Sequence, residues 1–168
     1  MTIAEDQLIL VDERDNQIGV MGKLETHEKG LLHRAFSIIV KNKNGEIMLQ
    51  KRADGKYHSG GLWTNTCCGH PRDGEETLHA ANRRLGEEMG FDCELKEITQ
   101  FIYKVVLDKG LTEHEFLHVF VGEYDKEPIL NPDEASDWKW MTENSISEDI
   151  QQNPNNYTEW FKILMNKL

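Results

Sequence analysis

The segment Glu76–Met89 constrains the fold of this chain most. Its apolar residues Leu78, Ala81, Leu85 and Met89 recur at helical spacing, and Gly90 follows as a fitting residue just past a helix end. The runs around it have a different rhythm. Leu8–Val11 and Gln17–Met21 flank the polar turn Asp12–Asn16 and read as a short hairpin. Ala35–Lys41 and Ile47–Arg52 are β-leaning runs around Asn42–Glu46, where Asn44-Gly45 is a strong turn signal. Glu97–Val106 and Phe116–Tyr124 are β-like and joined by the turn-like Asp108–Gly110, and Asp137–Met141 adds a further strand. Tyr157–Leu168 closes the chain with Trp160, Phe161, Leu164 and Leu168 at helical spacing. Strands therefore dominate, with one central and one terminal helix. That pattern predicts an α/β (α+β) architecture, a mixed sheet packed by helices.

No Pro- or Ser-rich linker, repeat or low-complexity tract interrupts the 168 residues, so one domain over 1–168 is expected. Apolar residues make up 38%, but four Trp, six Phe and four Tyr supply core volume. The net charge of −11, with no basic block, argues against nucleic-acid binding. No run approaches the ~20 apolar residues of a membrane span. MTIAEDQLIL is acidic where a secretory leader is basic, and the three Cys make a poor disulfide framework. A cytoplasmic location is expected, and nothing demands an obligate partner, so a monomer is expected.

The chemistry concentrates in three places. Trp63-Thr64-Asn65-Thr66-Cys67-Cys68-Gly69-His70-Pro71 combines polar residues, two thiols, a Gly and a His that no packing rule requires. A thiolate is a base, nucleophile or metal ligand, whereas a buried Cys pair is the plain alternative. Adjacent strand residues face opposite ways, so at most one thiol faces a given site. Glu113 and Glu115 share a face if extended, with His114 opposite. His27 and His33 form the third feature; His58, His79, His114 and His118 read as ordinary surface or core histidines.

Gly69–Phe91 resembles the Nudix box, Gly-x5-Glu-x7-Arg-Glu-U-x-Glu-Glu-x-Gly-U with U apolar. Gly69, Glu75, Arg83, Leu85, Glu87, Glu88, Gly90 and Phe91 fall in register. In that family the carboxylates hold divalent cations against a diphosphate, as hard Mg²⁺ favours oxygen ligands. Arg84 replaces a box Glu, and a cation there opposes a hydrolytic metal cluster. The local alternative is a solvated helix face in which Glu87 and Glu88 pair with Arg83 and Arg84.

Together the Cys-Gly-His-Pro motif, the altered box and Glu-x-Glu resemble the type 1 isopentenyl diphosphate isomerases over nearly the whole chain. The resemblance implies a Nudix-like mixed sheet sandwiched between helices. It also implies interconversion of isopentenyl and dimethylallyl diphosphate through a tertiary carbocation, in isoprenoid biosynthesis. Carried over, it makes Cys68 one acid/base and Glu115 the second, with Tyr103 as its hydrogen-bond partner. His27, His33, His70, Glu113 and Glu115 match the ligands of a tightly bound Mn²⁺ or Zn²⁺, between which the donor set does not choose. Glu88 matches the ligand of a Mg²⁺ that arrives with the substrate diphosphate. Lys23, Lys51, Arg52, Lys56 and Arg83 are the implied diphosphate cations, and Trp160 the aromatic facing the hydrocarbon tail. The competing readings are a Nudix hydrolase of nucleoside diphosphate derivatives and a metal-stabilised binding module.

Overall fold

A computed structural model describes residues 6–168 of the chain. The reading of the first ten residues as unlike a leader falls partly outside these. The elements follow the order β1 (Gln7–Val11), β2 (Gln17–Gly22), α1 (Lys23–Lys29), β3 (His33–Lys41), β4 (Ile47–Arg52), β5 (Trp63–Thr64) and β6 (Cys67–Gly69). After them come α2 (Thr77–Met89), β7 (Lys96–Val106), β8 (Thr112–Glu123), β9 (Ala135–Met141), α3 (Glu143–Gln152) and α4 (Glu159–Lys167). No helix among the described residues is long and apolar enough to cross a membrane.

The strands form one mixed sheet organised around β3. Along one edge β3 pairs in parallel with β8 for its full length, from His33 opposite Glu115 to Lys41 opposite Glu123. Along the other edge it meets three strands in turn. Leu10 of β1 lies opposite His33, Cys67–Gly69 of β6 lie opposite Ile38–Phe36, and Ile47 of β4 lies opposite Lys41. The expected Asn44-Gly45 turn is present, with Gly45 at φ +79°, but β3 and β4 separate beyond their first pair. Strand β4 then pairs with β9 and β5 instead.

The loop before β6 fills the opening between β3 and β4 with polar side chains. Thr66 Oγ1 accepts from the Val40 backbone N–H at 2.9 Å and donates to the Met48 carbonyl at 2.7 Å. Asn65 Nδ2 donates to the Ile38 carbonyl at 3.1 Å. Buried backbone groups left without a sheet partner are costly, so side chains replace the missing ladder. This supplies the packing reason for Asn65 and Thr66 that sequence reading did not see.

Strand alternation gives each face its own core. Ala35, Ile39, Leu49, Leu117 and Val119 pack with Ile146 of α3 and Trp160, Phe161 and Leu164 of α4. Phe36, Ile38, Val40, Met48 and Cys67 pack with Ala80, Ala81, Leu85 and Met89 of α2. The two adjacent thiols accordingly serve opposite faces, with Cys68 on the α3–α4 side. Leu78, placed on the apolar stripe by spacing, is instead 43% exposed, and Ala80 and Ala81 carry the contact. Helices α1 and α3, which the sequence reading does not contain, bury few apolar residues. Helix α1 lies between Gly22 and Gly30, and α3 starts at Thr142, whose side chain accepts from Ser145 N.

Two glycines with left-handed backbone separate turn strain from packing strain. Gly45 is exposed with nothing within 4 Å of an added Cβ, whereas at Gly90 (φ +72°) a Cβ would meet the Ile129 carbonyl oxygen at 2.3 Å. Gly45→Ala should cost about 1–2 kcal/mol from the backbone alone. Gly90→Ala should cost more than ~2 kcal/mol, because that backbone carbonyl must also move. Urea unfolding midpoints of the two variants, compared with the parent, test the ranking.

Candidate active site

Four elements bring the His/Glu cluster together. Strand β3 begins at His33, directly opposite Glu115 of β8, and the two-residue period of β8 puts Glu113 on the same side. Helix α1 contributes His27, and the end of β6 delivers His70. Ligand atoms of His27, His33, His70 and Glu113 lie within 4.8 Å of one another. His27 Nε2 is 2.7 Å and His33 Nε2 3.1 Å from Glu113 Oε1, and His70 Nε2 is 3.1 Å from Glu115 Oε2. His114, between the two glutamates, points away and contacts the Gly30 carbonyl through Nδ1 at 3.1 Å.

The donor set fits a divalent cation. His27 Nδ1 sits 2.7 Å from the Lys23 carbonyl and His33 Nδ1 2.9 Å from the Leu31 carbonyl. Such contacts anchor the Nδ1–H and direct Nε2 inward, where a metal ion can take the place of its proton. His33 Nε2 is fully buried and makes no hydrogen bond, despite carboxylate oxygens at 3.1 and 3.5 Å. A buried ring nitrogen with no hydrogen bond among the described residues, set among two carboxylates and two other imidazoles, suits a metal ligand.

Electrostatics divide the cluster. Burial opposes a charge on His33, but Glu113 and Glu115 outweigh it and push its pKa up to about 10. Burial pushes His70 down to about 4, with the His33 charge adding to it and the hydrogen bond to Glu115 opposing it. Burial disfavours the charged form of Glu113 too, yet His27 and His33 hold its carboxyl well below the usual range. Burial raises the Cys68 thiol to about 11 despite the Ser37 hydroxyl beside it. The Tyr103 hydroxyl, raised well above its ordinary value by burial and by Glu115, donates to Glu115 Oε1. A protonated thiol and a carboxylate held by a phenol thus border the same cleft of about 160 Å³.

Cations ring the cleft. Lys23, Arg52, Lys56, Arg83 and Arg84 line it, together with Glu88, Glu134 and Trp160. Burial and the neighbouring Lys56 and Arg52 lower the Lys23 pKa. Arg52 donates to the His58 carbonyl at 3.0 Å while its buried Nε has no partner. Its guanidinium also stands 5.1 Å from the Trp160 ring. Such a pocket favours an anion that offsets the mutual repulsion.

Most residues expected from sequence converge here. Cys68, His70, Tyr103, Glu113, Glu115, Glu88, Lys23, Arg52, Lys56, Arg83 and Trp160 line the cleft, and His27 and His33 lie fully buried behind it. Lys51 does not line it; it sits half-buried in β4, opposite Trp63 and Asp137. Arg83 lines it while already paired to Glu75 at 2.8 Å and Glu87 at 3.0 Å. Glu87 takes the expected surface pairing with Arg83 and Arg84, but Glu88 is buried beside Arg84 at 3.3 Å.

Sequence reading missed several participants. His58 is buried, lines the cleft and has its pKa lowered to about 3 by burial and Arg52. Glu134 accepts from Lys56 at 2.5 Å and Arg84 at 3.2 Å. Tyr57 Oη lies 2.7 Å from His27 Nδ1. None carries a local signal: Glu134 and Tyr57 meet partners distant in sequence, and His58 owes its place to burial.

Known proteins give this geometry a family. Residues 31–161 match the NUDIX domain. A crystal structure of DR0079 from Deinococcus radiodurans shares the fold, with a TM-score of 0.81 at 19% identity over 96% of this chain and 98% of that one. Isopentenyl-diphosphate Delta-isomerase 2 of Aromatoleum aromaticum is 53% identical, covering 98% of this chain and 87% of the relative. The protein of the same name from Photorhabdus laumondii is 56% identical over 98% of this chain and 93% of its own length. Similarity at that level over nearly the whole length, together with the NUDIX match, means that the chain belongs to the isopentenyl-diphosphate Delta-isomerase family of NUDIX-domain proteins.

Proposed function

We propose that the chain interconverts isopentenyl diphosphate and dimethylallyl diphosphate, as a monomer in the cytoplasm. The observation that carries this reading is one cleft in which a protonated Cys68 and the Glu115–Tyr103 pair lie beside a ring of cations. The reaction requires a proton added at the terminal alkene carbon and another removed from C2. An unactivated alkene is a weak base, so the donor must be held against it and the acceptor must be ready when the tertiary cation forms. Cys68, at the wall of the cleft, is one acid/base of the pair in this reading. Glu115, oriented by the Tyr103 hydroxyl and His70, takes the complementary role.

Lys23, Arg52 and Lys56 bind the diphosphate, Arg52 through its unpartnered buried Nε and Lys23 by relief of cationic repulsion. Arg83 joins them in this reading. The Trp160 ring, 5% exposed, covers the hydrocarbon end and can stabilise the cation by about 2 kcal/mol where water is excluded. His27, His33, His70, Glu113 and Glu115 hold Mn²⁺ or Zn²⁺. That ion supplies positive charge that fixes Glu115 and tunes its acidity. Glu88 takes the Mg²⁺ that accompanies the diphosphate; the Arg84 and Cys67 contacts both fall on its Oε2. Arg84 also counts against the hydrolase reading, because it pairs with Glu87, Glu88 and Glu134 where a hydrolytic metal cluster needs carboxylates.

A proton NMR time course with isopentenyl diphosphate and Mg²⁺ tests the reading. Loss of the terminal alkene signal with growth of two allylic methyl signals is expected. No change, with phosphate released from a nucleotide by the same sample, would move the assignment to a hydrolase.

Two further outcomes separate the residues. Cys68→Ala should lower turnover by at least about 10²-fold. Cys67→Ala, on the α2 side, should keep turnover and lose about 1 kcal/mol of stability; retained turnover in Cys68→Ala would overturn the choice of thiol. Protein stripped by chelator should regain activity and thermal stability with Mn²⁺ or Zn²⁺, by about 2.7 kcal/mol at a hundred times the dissociation constant. Glu113→Gln should lose most of that gain, read by melting temperature and by metal content.

A further inference from the structure

Asn65 is fully buried in the loop between β5 and β6, and its amide has one permitted orientation. Nδ2 donates to the Ile38 carbonyl at 3.1 Å and the Cys67 carbonyl at 3.0 Å. Carbonyl oxygens only accept, so both N–H groups are spent, and the flipped amide would set Oδ1 against two oxygens. Oδ1 therefore points the other way, where Thr64 Oγ1 lies at 2.9 Å and Cys68 Sγ at 3.1 Å.

The orientation of this amide fixes the direction of every neighbouring bond. An amide oxygen cannot donate, so both the Thr64 hydroxyl and the Cys68 thiol give their protons to it. Thr64 Oγ1, having donated, accepts from Thr158 Oγ1 at 3.0 Å. Thr158 Oγ1 in turn accepts the Phe161 backbone N–H at 3.3 Å, capping α4. The thiol has one proton, so in its 3.5 Å contact with Ser37 the serine hydroxyl is the donor. Thr64, Thr158 and Ser37 are all buried, so water does not compete for these bonds.

We infer that Asn65 is a positioning residue that sets the direction of the Cys68 S–H bond and ties it, through Thr64 and Thr158, to the helix carrying Trp160. The inference rests on the reading of Cys68 as a proton carrier. Cys68 and Trp160 both line the cleft, and the chain of hydroxyls gives them a common mechanical reference. Misplacing a reacting group by about 1 Å can cost ~10²-fold in rate. The amide thus does for the thiol what Tyr103 does for Glu115.

The test compares Asn65→Ala, Thr64→Val, Thr64→Ser and Cys68→Ala in the isomerase assay, with kcat and KM resolved. The proposal expects Asn65→Ala to lower kcat by about 10- to 100-fold with KM within about threefold. Thr64→Val, near-isosteric but without the hydroxyl, should lower kcat in the same way, and Thr64→Ser should restore it. The Thr64 pair decides the matter if Asn65→Ala does not fold. A merely structural role for Asn65 and Thr64 would lower the melting temperature of Thr64→Val and leave kcat alone, and that result overturns the proposal. Failure of Thr64→Ser to recover kcat overturns it as well. Full turnover in Cys68→Ala overturns the underlying reading of the thiol, which the Asn65 and Thr64 outcomes by themselves do not address.

Discussion

The structure depends on the two edges of β3. One edge runs unbroken beside β8, while the other is shared in turn by β1, β6 and β4. The unbroken ladder fixes His33 opposite Glu115 and, through the strand period, brings Glu113 to the same face. The divided edge admits β6, which carries Cys67–Gly69 and ends just before His70. Had β3 and β4 stayed paired as a hairpin, neither the thiol nor His70 would reach the carboxylates. The side chains of Asn65 and Thr66 make the separation tolerable, because they bond the backbone groups that a regular sheet would have paired.

That arrangement concentrates buried charge in a small volume. Three imidazoles and two carboxylates, nearly all shielded from water, would be expensive to assemble as isolated ions. The cost is met in part by hydrogen bonds to backbone carbonyls and to Tyr57 and Tyr103. A divalent cation offsets more of it, and His33 Nε2 is the atom with most to gain. The cation ring has the complementary problem, since Lys23, Arg52 and Lys56 repel one another and an anion relieves them.

Arg84 shows how one substitution redirects a motif. The carboxylates of α2 that hold cations in a hydrolytic Nudix box are here engaged by a guanidinium that also reaches Glu134. Glu87 stays a surface ion pair and Glu88 is left inside the cleft. Arg84 and Cys68 line the same cleft, although α2 and Cys68 pack on opposite faces of the sheet.

Much of this could be read along the chain. The helix ending at Gly90, the β runs and the terminal helix are local patterns of period 3.6 or 2, and the Nudix register and Glu-x-Glu spacing are likewise local. The opposite orientations of Cys67 and Cys68 followed from strand alternation alone. Helices α1 and α3 escaped notice because they bury few apolar residues, and Leu78 stood out of the core because a stripe does not say how wide its partner surface is. The resemblance implies both Lys51 and Arg52 as diphosphate cations, but of the two only Arg52 lines the cleft. The sequence by itself determined which residues can ionise, which alternate and which resemble a known motif. Tertiary structure alone decided how β3 divides its edge, and hence which hydrogen bonds Asn65, Glu134, Tyr57 and His58 make. Burial and charge act through space, for which no local period leaves a trace.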